Sequence, residues 1–142
     1  ITLQNQFADF VHQVDKSKVI DTNIIVSALL NSKGACYVFL DRVFAGVYDV
    51  VASSDIIAEY DNVLRREQFG FDEEDIDFII EWFWKNSLIV EVNEVDYRPD
   101  EVIDEKDIPF YITAKATKSR LVTGNIKHYP IEEMRTMIWE LN

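Results

Sequence analysis

Apolar positions along the chain fall into two alternating rhythms. Short β-branched runs at 18–21, "YDVVAS" (48–53), "LIVEV" (88–92) and "RLVTGN" (120–125) have the length and composition of buried strands. Between them, apolar residues return every three or four positions. Helices are expected over 24–30 and 36–45, separated by the polar break Asn31-Ser32-Lys33-Gly34. A third starts at Ser53 or Ser54 and carries Ile56, Ile57, Tyr60 and Leu64. A fourth, "FDEEDIDFIIEWFWKN", opens on an acid-rich turn that suits the positive end of a helix dipole. A fifth runs from Pro109, well placed in a first helical turn, to about Lys118. Upstream, Leu3, Phe7, Phe10, Val11 and Val14 form a stripe that fits an N-terminal amphipathic helix.

This strand–helix alternation predicts a mostly parallel sheet with helices on both faces. In such a sheet, functional groups collect beyond the carboxyl ends of the strands. Asp21 ends the first strand, Glu59 lies in the helix after the second, Asp104 and Asp107 precede the helix after the third, and Asn125 follows the fourth. All five are therefore expected at one edge. Carboxylates gathered there repel one another unless a proton or a cation joins them, and hard oxygen ligands favour Mg2+ or Mn2+. Each residue also has a local reading: Asp21 or Asn23 as a helix cap, Glu59 as an exposed helix acid, and Asp107 as the cap ahead of Pro109. Caps explain the positions one at a time. They do not require all of them to converge.

Length and composition set the outer limits. With 142 residues, 48% of them hydrophobic and 13% aromatic, the chain is long enough for a single domain over 1–142 with a substantial core. No run approaches the roughly 18 apolar residues of a membrane span, and no secretory leader is recognisable, so a soluble, cytoplasmic protein is expected. Cys36, the one cysteine, has no partner for an internal disulfide and reads as a small core residue. A net charge of −12 argues against nucleic-acid binding by charge alone, although an acidic cluster loaded with a divalent cation becomes complementary to phosphate. Arg65, Arg66, Lys115, Lys118, Lys127 and His128 lie on elements flanking the expected cleft and are candidate phosphate contacts. His128, beside Tyr129-Pro130, reads as a loop-stabilising residue rather than a catalytic one.

Asp21-Thr22-Asn23 after a strand, Glu59 within "SSDIIAEYDNVLRR", Asp107 within "DEKDIPFYITAKA" and the later "LVTGN" occur in an order that resembles the PIN domain. The resemblance covers about residues 18–130. It is strongest to the branch described as toxin components of toxin–antitoxin pairs, where "D..DIPFY...A" and "LVTGN.KH.P" follow in the same order. It implies a three-layer α/β/α fold, Mg2+- or Mn2+-dependent hydrolysis of RNA, and ligation of the metal by Asp21, Glu59 and Asp107. An RNA substrate and an antitoxin partner come with it. Attack by water would leave 5'-phosphate and 3'-hydroxyl ends. Many members carry aspartate where this chain has Asn125. Asp104 is a candidate replacement carboxylate, and Asn125 an amide that positions water or phosphate. Thr22, Asn23 and Thr123 are expected to support the ligands. The C-terminal "MRTMIWELN" stops where the resemblance calls for a final strand and helix.

Over 76–84, Ile76, Phe78, Ile79, Ile80, Trp82, Phe83 and Trp84 spread around most of a helix. One face cannot bury them all, so the helix either lies beneath another element or contributes to a homodimer or antitoxin interface. Two other Mg2+-binding classes fit poorly. A receiver domain needs adjacent acids after its first strand, and a DxD phosphatase fails at Asn23. The serious alternative is a catalytically weak or inactive PIN-like scaffold that binds a protein partner.

Overall fold

Five parallel strands lie side by side in the order β3-β2-β1-β4-β5. The structure, a computed structural model, describes residues 17–97, 104–129 and 136–141. The amphipathic stretch expected over 3–14 lies outside these residues. In chain order the elements are β1 (Ser17–Ile20), α1 (Thr22–Leu30), α2 (Ala35–Phe44), β2 (Asp49–Ala52), α3 (Ser54–Leu64) and α4 (Glu73–Asn86). They continue with β3 (Leu88–Ile89), the short α5 (Glu94–Tyr97), α6 (Ile108–Thr117), β4 (Arg120–Thr123) and β5 (Ile138–Glu140), with single 3-10 turns at Glu105–Asp107 and Ile126–His128. The sheet is layered between helices in a three-layer α/β/α arrangement.

The two innermost pairings explain why the strands read as continuous apolar runs. β1 pairs with β2 through Lys18↔Val50 and with β4 through Val19↔Leu121 and Ile20↔Val122. Covered on both faces, Val19, Ile20, Val50, Val51, Leu121 and Val122 are all buried. α6 packs against β1, β2 and β4 and buries Phe110, Tyr111 and Ile112. It ends on Lys118 in the left-handed region (φ 55°). No single helix among the described residues is long and apolar enough to cross a membrane.

Two expectations change. The third strand is only Leu88–Ile89, because beyond it Val90 makes one further backbone bond, to Ala52, before the ladder with β2 ends. A fifth strand is present: Leu121↔Ile138 and Thr123↔Glu140 pair in parallel, and the Leu141 N–H donates to the Thr123 carbonyl. Three residues of strand are too short to stand out by alternation. Side chains hold it in place. The Trp139 ring meets Phe39 edge-on at 5.3 Å and lies 5.8 Å from Tyr48, and the buried Lys18 ammonium sits 5.5 Å from Tyr48 and 5.6 Å from Trp139.

The aromatic helix α4 divides its load. Ile76, Ile79 and Phe83 enter the core, and Trp82 packs against Phe44 with ring centroids 5.0 Å apart. Phe78 and Trp84 remain 57% and 48% exposed. Cys36 packs at the margin of the core.

The edge strand β5 should be part of the cooperative unit. Trp139→Ala removes a half-buried indole and its contacts, which should cost about 3 kcal/mol, or roughly 10 °C in Tm for a domain of this size. Thermal melts followed by circular dichroism check this. A shift below about 2 °C would mean that β5 frays independently of the core.

Candidate metal centre

The first strand ends at Asp21, but its pairing does not. The Asp21 N–H still donates to the Val122 carbonyl at 2.8 Å, while its own carbonyl accepts from Ile24 N–H as α1 begins. Asp21 is thus locked between the two central strands and the first helical turn, and it is 4% exposed. Although it occupies the N-cap position of α1, its carboxylate makes no capping bond.

Asp107 repeats this arrangement on another element. Asp104 accepts from the Lys106 N–H and starts a single 3-10 turn, in which Asp107 N–H donates to the Asp104 carbonyl at 2.9 Å. Pro109 then sets the first turn of α6. Asp107 stands at the N-cap with no side-chain capping bond and is also 4% exposed. In contrast, Asp104 and Asn125 serve their own turns: each side chain accepts a backbone N–H two residues on, from Lys106 and Lys127. Neither buried aspartate makes the usual side-chain N-cap bond; Asp21 accepts instead from the first helical N–H, that of Thr22.

Both aspartates line one cavity of about 230 Å3. Its wall includes Asp21, Thr22, Asn23, Glu59, Arg66, Phe69, Lys106, Asp107 and His128. Glu59 arrives there because Tyr60, the next residue of α3, is fully buried and donates its hydroxyl to the Ile20 carbonyl. A rotation of about 100° per residue then aims Glu59 at the opening. Asp104 and Asn125 are not part of this wall. Among the predicted basic contacts, Arg66 and His128 line the cavity, whereas Arg65 is held by Asp61 and Asp77 at 2.7 Å each. The Lys115 ammonium donates to Tyr111.

Hydrogen bonds fix Asp21 closely. Its Oδ2 accepts from Thr123 Oγ1 at 2.8 Å, Tyr129 Oη at 3.2 Å and Asn23 Nδ2 at 3.3 Å. The Asn23 carbonyl oxygen in turn accepts from Gly124 N–H at 3.0 Å, which staples the start of α1 to the end of β4. Burial and the nearby Asp21 charge push the Tyr60 and Tyr129 hydroxyls well above their usual range, so both remain donors at neutral pH.

Electrostatically the cavity disfavours its own charges. Burial raises the Asp21 carboxyl, against the opposing pull of the bonds from Thr123 and Tyr129 and the nearby His128. Burial, then the Asp21 charge, pushes Asp107 up to about 6. Asp107 Oδ2 is buried without a hydrogen-bond partner, and the His128 Nδ1 stands off it at 3.6 Å. Thr22 Oγ1 is likewise buried and unpartnered. Of three such orphaned side-chain atoms among the described residues, two line this one cavity. Hard, anionic, unsatisfied oxygens are what a divalent cation requires. Among the described residues no three carboxylate, imidazole or thiol groups already converge on a point. The residues fit an ion that takes one or two protein carboxylates and keeps several waters, as Mg2+ does.

Sequence reasoning did not single out Tyr129, Lys106 or Phe69. Tyr129 carried one usable signal: a tyrosine hydroxyl buried in a core needs a partner. That partner lies 108 residues away, which spacing cannot reveal.

No curated protein matches the chain. Its structure is similar to the crystal structure of VapBC2 from Rickettsia felis bound to a DNA fragment from their promoter, with a TM-score of 0.63 and 20% identity, over 89% of this chain and 99% of that one. A PIN domain family model matches residues 17–127, which span β1 to the turn after β4 and every residue of the cavity wall but His128. The chain belongs to the PIN domain family.

Proposed function

We propose that this PIN domain is a Mg2+- or Mn2+-dependent endoribonuclease and the toxin of a toxin–antitoxin pair. The observation that carries the reading is the pair Asp21 and Asp107: two buried N-cap aspartates whose side chains make no N-cap bond, lining one cavity, with Asp107 Oδ2 buried and unpartnered. In this reading Asp21 and Asp107 hold the cation, and Glu59, which makes no ion pair among the described residues, meets its water shell. When bound, the cation supplies a nucleophile at neutral pH and charge neutralisation at the scissile phosphate. The protein's part is to hold oxygens in place and to bind the backbone. Arg66, with no ion-pair partner among the described residues, is the cation on the wall best suited to phosphate; Lys106 beside it also stands 3.6 Å from Asp104. Phe69 beside them offers a ring to a base.

Membership of a family whose members are typically metal-dependent nucleases supports the enzymatic reading, and the likeness to VapBC2 supports the toxin reading. An antitoxin is then the expected partner, and exposed Phe78 and Trp84 are apolar anchors of the kind interfaces use. Asn125 and Asp104 take outer roles here, because their side chains already serve their own turns.

Cleavage of a mixed RNA pool with Mn2+ tests the function. Asp21→Asn and Asp107→Asn should each lower the rate more than about 100-fold, beyond the 10–100-fold usual for outer-shell partners. Asn125→Asp should retain cleavage, since aspartate can accept the same Lys127 N–H. In chelator, Asp107→Asn should melt about 3–5 °C higher at pH 7, because one repelling carboxylate is gone. Full cleavage by Asp107→Asn, or no metal-dependent cleavage by the wild type, would leave the non-catalytic scaffold as the better reading.

The raised Asp107 pKa gives pH slopes of opposite sign with and without metal. The folded state holds the proton up to about 6 and the unfolded chain only to about 3.8, so metal-free stability should fall as pH rises through that window and then level off. Mn2+ affinity should rise over the same window, as the cation displaces the proton. Melts and titration calorimetry between pH 4 and 8 measure both. An Asp107→Asn variant with an unreduced metal-free slope contradicts the assignment.

A further inference from the structure

We propose that Tyr129 is a positioning residue for Asp21, and that its hydroxyl sets the affinity of the site for a divalent cation. The inference rests on the metal reading above and deepens it. A carboxylate rotates freely about its last torsion, so the donors around it decide which way its oxygens face. At Asp21 all three side-chain donors meet the same oxygen, Oδ2. Thr123 and Asn23 belong to the end of β4 and the start of α1, which are already tied together by the Gly124–Asn23 bond. Tyr129 comes from a different element. It follows the 3-10 turn Ile126–His128, is fully buried, and reaches Oδ2 at 3.2 Å.

That bond does two things. With Thr123 and Asn23, it gathers all three side-chain donors on Oδ2 and leaves Oδ1 clear of them; a backbone bond from Thr22 N–H also reaches the carboxylate. It also anchors the end of the turn that carries His128, whose Nδ1 stands 3.6 Å from Asp107 Oδ2 on the cavity wall. Partners of this kind, which orient a ligand without touching the ion, are generally worth 10–100-fold in metal affinity.

Tyr129→Phe tests this, because it keeps the ring and removes only the hydroxyl. Mn2+ is titrated calorimetrically into wild type, Tyr129→Phe and Tyr111→Phe at a temperature where circular dichroism finds all three folded. Tyr111 is the control: it is equally buried, but its hydroxyl serves Lys115. The expected result is a Kd at least about 10-fold weaker for Tyr129→Phe and within about twofold of wild type for Tyr111→Phe. A lower Tm with an unchanged Kd would mean that Tyr129 only supports the fold, and the proposal would be overturned. Failure of the wild type to bind Mn2+ would remove the metal reading itself, an outcome visible in the first arm. Should Tyr129→Phe not fold, proton NMR of the wild type decides: the Tyr129 hydroxyl should give a slowly exchanging resonance that moves on adding Mg2+. A resonance unmoved at saturating Mg2+ contradicts the proposal.

Discussion

Two carboxylates of like charge buried in one small cavity are a liability that the remainder of the structure must accommodate. Asp21 and Asp107 are both 4% exposed, burial raises both, and the Asp21 charge raises Asp107 further. A domain of this size has only on the order of 10 kcal/mol of net stability, so such an arrangement is retained only if something offsets it. Part of the offset is local: three side-chain donors on Asp21 Oδ2 and a histidine near Asp107. The orphaned Asp107 oxygen marks what these donors leave unanswered.

The parallel sheet is the device that makes the pairing unavoidable. Because β1 lies at the centre with β2 and β4 on either side, the segments leaving those strands must emerge together. The crossover through α6 returns the chain to β4 and brings Asp107 at its start to the same edge as Asp21. The strands behind them are buried on both faces, so the edge has little freedom to splay. Charge repulsion therefore cannot relax by moving the two carboxylates apart.

Much of this was legible in the residues. Strand–helix alternation predicted the parallel sheet, and the position of Asp21, Glu59 and Asp107 after strands predicted their shared edge. The structure brings all three to one cavity wall. Two kinds of information were not legible. Whether an N-cap residue caps depends on rotamer and surroundings, so position alone did not separate Asp21 and Asp107 from Asp104 and Asn125, whose side chains serve their own turns; only the family resemblance ranked them. Long-range partners were the other gap. Tyr129 meets Asp21 across 108 residues, and β5 is held by Trp139 against Phe39 and Tyr48 rather than by a strand pattern of its own.

In the proposed metal site, the cation sits between Asp21 and Asp107. Anomalous diffraction from crystals grown with millimolar Mn2+, recorded near the manganese edge, measures this directly. The predicted result is a peak within bonding distance of both Asp21 and Asp107. A map of the same quality with manganese elsewhere on the molecule, or with no peak between these two carboxylates, would contradict it.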